Sequence, residues 1–497
     1  MKKHLLLPAI TIWMLFISCE RDVENFVQFL NEKEQTYEEI CHLAGEVAWQ
    51  RFSGEGTIDK DLPDIRFQSL FENDTLKKYI DYYHRNGHLI KNDTLQRRVE
   101  LWHRMLTGAQ VNLDPEIRSL EHKIIAWVDS KDPDKNRQTN EMERLALELL
   151  RLRNEKAHAL GFENYAEMTL ELSGIQPDWF HHLITTIDSL TLPVYRKNLD
   201  SLRKSNQLKS IQSQDVQSLY FKYYMARIGP EIDKANSRAL MIKTVEDLGF
   251  AWQEDAMHML EKELPEGLSG EGITIKIPGD FRTVFTPDLS FKNRMHEIGH
   301  GLQLQSVKIH YPILKGYDWN LGGDNAGWAE AMADVIARFV ENPKWRAKYA
   351  KQKPLQQIEV TPAEMAAYLR FQLVTIMFEW HLYQDVQQDL VTLNNKLMRK
   401  YLLVEEDGSN APKLASELFI DYPMFLYAYT MSDIISWQIH QALDTRFGAG
   451  YIFDPGTANF LITTLFQDGE LYPWEQRLQR ATGKKLDMAG YFKAHGF

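Results

Sequence analysis

Several features that would assign a chain to a class at once are missing from these 497 residues. Only two cysteines are present, so no disulfide framework holds the protein together. The formal net charge is −12 and no stretch is strongly basic, which argues against nucleic acid as a partner. We find no internal repeat, no low-complexity tract and no linker that would separate domains. One large domain with a sizeable core is therefore expected.

The single long apolar run lies at the start of the chain. After two lysines, the stretch from Leu5 to Ile17 is almost entirely apolar, which is typical of a secretory signal and too short for a membrane span. A small residue and then Cys19 follow, a pattern that resembles a bacterial lipobox, where the cysteine is lipidated. We predict a lipoprotein signal peptide over 1–18 and an exported protein held to a membrane only through Cys19. The alternative is an ordinary signal peptide, cut nearby, that leaves a soluble exported protein.

Residues 19–497 are predicted to form one mainly helical domain. Apolar residues recur every three or four positions with charged faces between them, for example from Glu143 to Ala159. The segment from Met365 to Leu390 is apolar nearly all round in its first half, so it should lie deep in the core. Cys41 falls in another helical stretch and is expected to be a small buried residue without a chemical role.

One segment departs from the helical pattern. Ile273, Ile275 and Ile277 alternate with polar residues, a Pro-Gly-Asp turn follows, and the alternation resumes from Phe281 to Phe285. This pattern predicts a β-hairpin. Its first strand could be a sheet edge that pairs with an extended peptide, or the hairpin could be a purely structural flap.

The chemistry of the chain is concentrated just after this hairpin. His296 and His300 are four residues apart, so on a helix both imidazoles face one point in space. Glu330 follows thirty residues later on a second predicted helix. Two imidazoles and a carboxylate suit Zn²⁺, which in catalytic sites takes three protein ligands and keeps one position for water. We therefore predict one zinc ion bound by His296, His300 and Glu330.

Two further carboxylates support this interpretation. Glu297 follows the first ligand, where it can take a proton from water at the metal, so it is predicted to be the general base. Asp334 is one helical turn after Glu330 and can accept a hydrogen bond from the outer N–H of a ligand imidazole. The alternative for Asp334 is a solvated helix acid. Together these residues predict metal-assisted hydrolysis.

The segments 296–300 and 326–335 resemble the zinc helix and the glutamate-bearing helix of the angiotensin-converting-enzyme (peptidyl-dipeptidase A) family of zinc peptidases. Thimet oligopeptidase and oligoendopeptidase F are related to that family. The resemblance implies a gluzincin fold: a mainly α, two-lobed ellipsoid with a deep central channel and a small sheet beside the zinc helix. It implies oligopeptides as substrates, cut as by an oligopeptidase or by a peptidyl-dipeptidase.

The segment 422–443 resembles a later helix of the same family. That resemblance places Tyr429 at the tyrosine that donates a hydrogen bond to the oxyanion of the transition state. Other family positions differ here. A second histidine corresponds to Phe419, the lysine that binds a substrate's terminal carboxylate falls near Glu417, and a tyrosine and an arginine correspond to Leu426 and Ala428.

These departures leave two functions open. The first is an active zinc peptidase that tolerates blocked carboxy termini, because the residues that would hold a free carboxylate are not evident. The second, motivated by Phe419, is a catalytically weak or inactive lipid-anchored protein that binds peptides on the same scaffold.

Overall fold

A computed structural model of the chain describes residues 7–130, 132, 134–227, 236–264, 268–317, 326–350, 360–405 and 411–497. Residues 1–6 of the predicted signal peptide are outside this set. Cys19 lies within the first helix, and both its lipidation and the cleavage of residues 1–18 stay predictions. No helix in the part of the chain described combines the length and apolar character needed to cross a bilayer.

Helices dominate the described residues, as predicted. In the first half they are α1 (Leu7–Ser53), α2 (Leu62–Phe71), α3 (Asp74–Arg85), α4 (Asp93–Asn112), α5 (Pro115–Val128), α6 (Thr139–Ala159), α7 (Tyr165–Leu172), α8 (Pro177–Ser205), α9 (Ser213–Arg227) and α10 (Ser237–Asp247). In the second half they are α11 (Phe291–Gln305), α12 (Ala326–Ala337), α13 (Pro343–Tyr349), α14 (Pro362–Gln384), α15 (Leu390–Leu397), α16 (Glu417–Ile420), α17 (Tyr427–Phe447), α18 (Gly456–Leu461), α19 (Trp474–Thr482) and α20 (Met488–Ala494). Short 3-10 and π turns join several of them.

Two large hydrophobic clusters form the core. The smaller is built by α1 to α4 together with Ile313 and Leu314. The larger is built mainly by α5 to α20 and contains most of α14, whose side chains are buried on nearly every face. The predicted position of this helix deep in the core is confirmed. Cys41 is buried in the smaller cluster, as predicted.

The predicted hairpin is present, and a third strand joins it. β2 (Gly270–Lys276) pairs antiparallel with β3 (Asp280–Phe285), while β1 (Met257–Glu261) pairs parallel with β3 on its other side. The sequence pattern did not predict β1, and the predicted start of β2 at Ile273 is three residues later than the observed start at Gly270. The strand order is β1-β3-β2, so β2 is an edge strand of the described sheet.

Close packing brings the sheet and three helices together. Helix α12 packs against both α11 and α17. A Cβ at Gly299 would lie 2.8 Å from the Cα of Ala333, so only glycine lets α11 and α12 approach this closely. Gly45 similarly permits contact between α1 and β2, because a Cβ there would lie 2.2 Å from the carbonyl oxygen of Thr274. These approaches fix the backbones that carry the predicted metal ligands and the edge strand.

Candidate metal centre

Helix α11 presents the histidine pair. The Ser290 side chain caps the helix by accepting a hydrogen bond from the backbone N–H of Asn293 (3.1 Å). Ile298 and Leu302 are buried on the core side of this helix. His296 and His300 lie one turn apart on its other side with ring centroids 4.9 Å apart, and both line a large cavity.

Glu330 on α12 completes the predicted ligand set. One of its carboxylate oxygens is 3.1 Å from Nε2 of His296, and the other is 3.9 Å from Nε2 of His300. A ligand atom from each residue lies within 4.8 Å of the others. A tetrahedral zinc ion with bonds of about 2.1 Å holds its ligand atoms roughly 3.4 Å apart, so the three residues fit a metal ion.

Asp334 occupies the supporting position that its spacing predicted. Nδ1 of His296 donates a hydrogen bond to Oδ1 of Asp334 (2.9 Å), which leaves Nε2 directed at Glu330. The hydroxyl of Ser432 on α17 donates to Oδ2 of Asp334 (2.8 Å). The alternative of a solvated helix acid is wrong, since both carboxylate oxygens are engaged. The hydrogen bond between Asp334 and His296 orients the imidazole ring and increases the basicity of Nε2, the predicted ligand nitrogen.

The two imidazoles have different electrostatic surroundings. Burial lowers the pKa of His296, but its hydrogen bonds with Asp334 and Glu330 outweigh burial and raise the pKa well above 6.5. Burial and the charge of His296 lower the pKa of His300 to about 4. His300 is therefore neutral near pH 7, as a metal ligand must be.

The predicted base, Glu297, lies against the edge strand. A Cβ at Gly270 would be 2.8 Å from Oε1 of Glu297, and one at Gly272 would be 3.6 Å from Oε2. Burial raises the pKa of Glu297 to about 7, with Glu330 adding to the effect and His296 opposing it. A carboxylate with a pKa near the working pH is suited to accept and return a proton.

Tyr429 lies near these residues, at the start of α17. It lines the same cavity, and 40% of its surface is exposed. Its ring makes an edge contact with Phe425 at a centroid distance of 5.3 Å. Burial of its hydroxyl and the negative charges of Glu330 and Glu297 raise the pKa of Tyr429 well above 10, so the phenol stays protonated and able to donate.

The cavity that contains these groups has a volume of about 1590 Å³. It is lined by residues of α1, α5, β2, α11, α12, α16 and the start of α17, and thus by both hydrophobic clusters. A large cavity beside the predicted metal ligands agrees with the deep channel that the family resemblance implied. Its size exceeds the roughly 300–1,000 Å³ of ordinary small-molecule pockets, so it can hold several residues of an extended peptide.

A second group of charged residues on the cavity wall was not predicted as a site. Glu271 on β2 accepts a hydrogen bond from the hydroxyl of Tyr422 (3.3 Å). Arg51, at the end of α1, contacts Glu417 (3.2 Å) and Asp421 (3.8 Å). We call Glu271, Glu417 and Asp421 the acidic wall. Glu417 and Asp421 are four residues apart, but no spacing in the sequence connects them with Glu271, which only the tertiary structure brings to them.

Of the other positions compared with the family, some line the cavity and some do not. Phe419 is 3% exposed and contacts Phe378 in the core, and it is not among the described residues that line the cavity. Leu426 and Ala428 are not among them either. Glu417, which falls near the family's carboxylate-binding lysine, does line the cavity. The charge at this position is thus reversed within the channel itself.

Comparison with known sequences finds no matching protein-family profile and no matching curated protein. Solved structures do match. An M32 carboxypeptidase from Deinococcus radiodurans R1 is 15% identical with a TM-score of 0.64, over 94% of this chain and 97% of that one. A Pyrococcus furiosus carboxypeptidase in an apo-Mg form gives the same four values. Trypanosoma cruzi metallocarboxypeptidase 1 is 13% identical with a TM-score of 0.62, over 94% and 98% of the two chains.

These neighbours extend over nearly the whole chain, and all three are carboxypeptidases by name. At such low identity the match demonstrates a shared fold. The specific resemblance to the angiotensin-converting-enzyme family is not among these matches. Around a His-His-Glu group able to hold a metal ion, the chain has the mainly helical fold of metallocarboxypeptidases.

Proposed function

We propose that this protein is a zinc-dependent peptidase that hydrolyses short, unfolded oligopeptides. The observation that carries the proposal is the convergence of His296, His300 and Glu330, with Asp334 bonded to the outer nitrogen of His296. Two imidazoles, a carboxylate and a supporting carboxylate form a donor set typical of zinc. The fold shared with metallocarboxypeptidases supports the same conclusion.

Each residue has a distinct task in this reaction. A zinc ion held by the three ligands would polarise the peptide carbonyl and lower the pKa of water. Glu297 accepts the proton of the attacking water and returns it to the leaving amine. Tyr429, whose pKa is raised by burial and by its acidic neighbours so that it stays protonated, donates a hydrogen bond to the oxygen on which negative charge develops. The role of Tyr429 rests on the resemblance to the angiotensin-converting-enzyme family.

The peptide would bind along β2. This strand is a sheet edge in the described structure, lines the cavity and lies against Glu297. An extended peptide can add itself as a further strand through backbone hydrogen bonds, which bind many sequences without distinguishing them. Of the two alternatives for the hairpin, we therefore favour peptide pairing over a structural flap.

Exopeptidase action is a second candidate, favoured by the names of the structural neighbours. A carboxypeptidase needs a cation for the substrate's terminal carboxylate. Among the described residues, nine lysines and arginines line the cavity, including Lys60, Lys413 and Arg477. The other six already contact a carboxylate of the protein: Arg51 with Asp129, Arg118 with Asp64, Arg153 with Glu121, Lys292 with Glu341, Lys315 with Glu38 and Arg227 with Asp433. We therefore favour an oligopeptidase that tolerates blocked carboxy termini.

The experiment uses matched peptides with free and amidated carboxy termini, the zinc-loaded protein and product mapping by mass spectrometry. Comparable cleavage of both sets is expected. Release of single residues from the free acids alone would instead establish a carboxypeptidase, and release of dipeptides alone a peptidyl-dipeptidase. Bound zinc without cleavage across a diverse peptide library would favour the inactive peptide-binding protein.

We also propose that the protein acts outside the cytoplasm, held to a membrane through Cys19. The support is the sequence pattern of residues 1–19. Cys19→Ala should move the protein from the membrane fraction to a soluble one. Unchanged partitioning of that variant would indicate simple secretion.

A further inference from the structure

We infer that the acidic wall formed by Glu271, Glu417 and Asp421 binds a cationic group of the peptide, so that this peptidase selects basic substrates. This inference deepens the proposed function and rests on it. The wall lies in the same cavity as the metal centre. The ligand chemistry is an ammonium or guanidinium group, from a lysine or arginine side chain or from a free amino terminus.

The position of Glu271 connects the wall to the reacting bond. It lies on the edge strand between Gly270 and Gly272, the two residues that approach the carboxylate of Glu297. Because strand residues alternate in direction, Glu271 projects to the face opposite these glycines, toward Tyr422. A peptide paired with β2 would therefore pass the metal and the acidic wall within a few residues of its length.

Charge on this wall is unbalanced. Arg51 is the cation in contact with Glu417 and Asp421, and it also makes two hydrogen bonds to Asp129 (2.9 and 3.0 Å). Glu271 is a further acid, whose recorded side-chain hydrogen bond comes from a neutral phenol. Burial with the charges of Glu297 and Glu417 raises the pKa of Glu271 to about 8, and burial raises that of Asp421 to about 7. Burial is the main cause for both groups, and a cation beside them would favour the charged form of these carboxyls.

An unsatisfied atom independently indicates a ligand. Glu417 is 91% buried, and while its Oε1 accepts from Arg51, its Oε2 has no hydrogen-bond partner among the described residues. A buried carboxylate oxygen without a partner is costly, because the interior supplies no water in its place. A donor carried by the substrate would satisfy it. The family resemblance places a carboxylate-binding lysine near this position, so the reversed charge here fits a cation.

A metal ion is a poorer candidate than an organic cation. The guanidinium of Arg51 already lies among these carboxylates, where it would repel a divalent ion. Among the described residues, only the group His296, His300 and Glu330 brings donor atoms together tightly enough for a metal. A flexible ammonium or guanidinium group, in contrast, can bond two carboxylates several ångströms apart.

The test measures kcat/KM on zinc-loaded protein with four matched quenched-fluorescent peptides. These carry lysine or norleucine near the scissile bond, each with a free or an acetylated amino terminus. We expect the basic peptides to be cleaved roughly 10- to 100-fold better, the change expected when a charged hydrogen-bond partner is removed. If lysine matters in acetylated peptides, the side chain is the ligand. If only acetylation matters, the amino terminus is the ligand.

Substitutions on the acidic wall then test which carboxylates cause the preference for basic peptides. Glu417→Gln and Glu271→Gln should each reduce it about tenfold, and Glu417→Lys should reverse it in favour of acidic peptides. Glu32→Gln, at an exposed position on α1, is the matched control and should retain the full preference. If Glu417→Gln does not fold, judged by circular dichroism, Glu271→Gln provides the measurement.

Binding to the zinc-loaded Glu297→Gln protein, measured by fluorescence anisotropy, separates the two proposals. Tighter binding of the basic peptides supports the acidic wall even if the wild-type protein cleaves nothing, a result that would overturn only the peptidase. Equal cleavage and equal binding of basic and neutral peptides would overturn the acidic wall and leave the peptidase standing.

Discussion

The metal centre and the acidic wall line one cavity but are assembled in different ways. The metal centre takes all its predicted ligands and its base from α11 and α12, two helices packed in direct contact. The acidic wall takes Glu271 from a strand, and Glu417 and Asp421 from a segment about 150 residues further along. Helical spacing within α11 and within α12 encodes most of the first, whereas the second requires β2 to meet a segment about 150 residues away.

Their electrostatics also differ. In the metal centre, a hydrogen bond outweighs the effect of burial on Asp334. Burial alone would raise the pKa of Asp334, but the hydrogen bond with His296 lowers it well below the usual range. On the acidic wall, burial raises the pKa of Glu271, Glu417 and Asp421 alike. The metal centre is arranged to hold a metal ion, while the acidic wall has three carboxyls and, among the described residues in contact with them, one cation, Arg51.

The substitution Glu297→Gln should have the largest effect, and it tests whether the metal centre and the acidic wall act separately. Glutamine keeps the size of the side chain but cannot accept the proton, so kcat should fall by roughly 10²- to 10⁴-fold. Zinc content and basic-peptide binding should be unchanged, because the amide alters neither the ligands nor the acidic wall. Steady-state kinetics and metal analysis check this. Near wild-type activity in Glu297→Gln would contradict the assigned mechanism.

Tyr429→Phe should have the next largest effect. Loss of the phenolic hydroxyl removes one donor to the developing oxyanion and should lower kcat by about 10²- to 10³-fold, with little change in KM. Tyr82→Phe, at an exposed position remote in sequence, is the control. A change in KM alone would show that Tyr429 binds substrate without stabilising the transition state.

Gly270→Ala tests the contact between the edge strand and the base. The new Cβ would lie 2.8 Å from Oε1 of Glu297, so the carboxylate must shift. Displacement of a catalytic group by about 1 Å can lower the rate by roughly 10²-fold. Gly87→Ala is the matched control, since a Cβ there meets nothing within 4 Å. Equal kcat values for both variants and wild type would show that the base does not depend on this strand.

Asp334→Asn should act through the metal. The amide weakens the hydrogen bond that orients His296, so zinc affinity should fall by about 10- to 100-fold. Competition with a chelator measures it. Ser432→Ala removes the hydroxyl on the other oxygen of Asp334 and should have a smaller effect in the same direction. Unchanged affinity in both variants would refute the supporting role.

The last prediction concerns the stability of the segment behind the acidic wall. Glu379 is buried and accepts a hydrogen bond from the backbone N–H of Met424 (2.7 Å), a residue with a φ of 56°. Burial raises the pKa of Glu379 to about 8. The folded chain therefore keeps a proton that the unfolded chain loses above about pH 4.5, so the free energy of unfolding falls as pH rises toward 8.

Glu379→Gln retains an oxygen acceptor for Met424 but does not titrate. The variant should lose less stability than wild type between pH 5 and pH 9, by about 2–4 kcal/mol for a shift of this size. Denaturant unfolding at the two pH values measures the difference. Parallel stability curves for the two proteins would show that Glu379 does not titrate in this window.

Much of the molecule could be predicted from the order of its residues. The four-residue spacing of His296 and His300 and the later Glu330 predicted the metal ligands, because a helix converts fixed spacing into a shared face. Apolar periodicity predicted the helical class, and alternation predicted the β2–β3 hairpin. Asp334 was predicted for the same reason as the ligands. In each case the interacting residues are close in sequence or lie on regular elements of known period.

Tertiary structure alone decided the rest. It placed β1 beside β3, buried Phe419 in the core and gave Tyr429 its position beside Glu330 and Glu297. It also joined Glu271 to Glu417 and Asp421, which are separated by about 150 residues and by several helices. Sequence periodicity cannot predict such pairs, since their proximity depends on how α1, the sheet and α16 pack around a common cavity. The sequence determined the chemistry at the metal, and the packing determined what else faces the substrate.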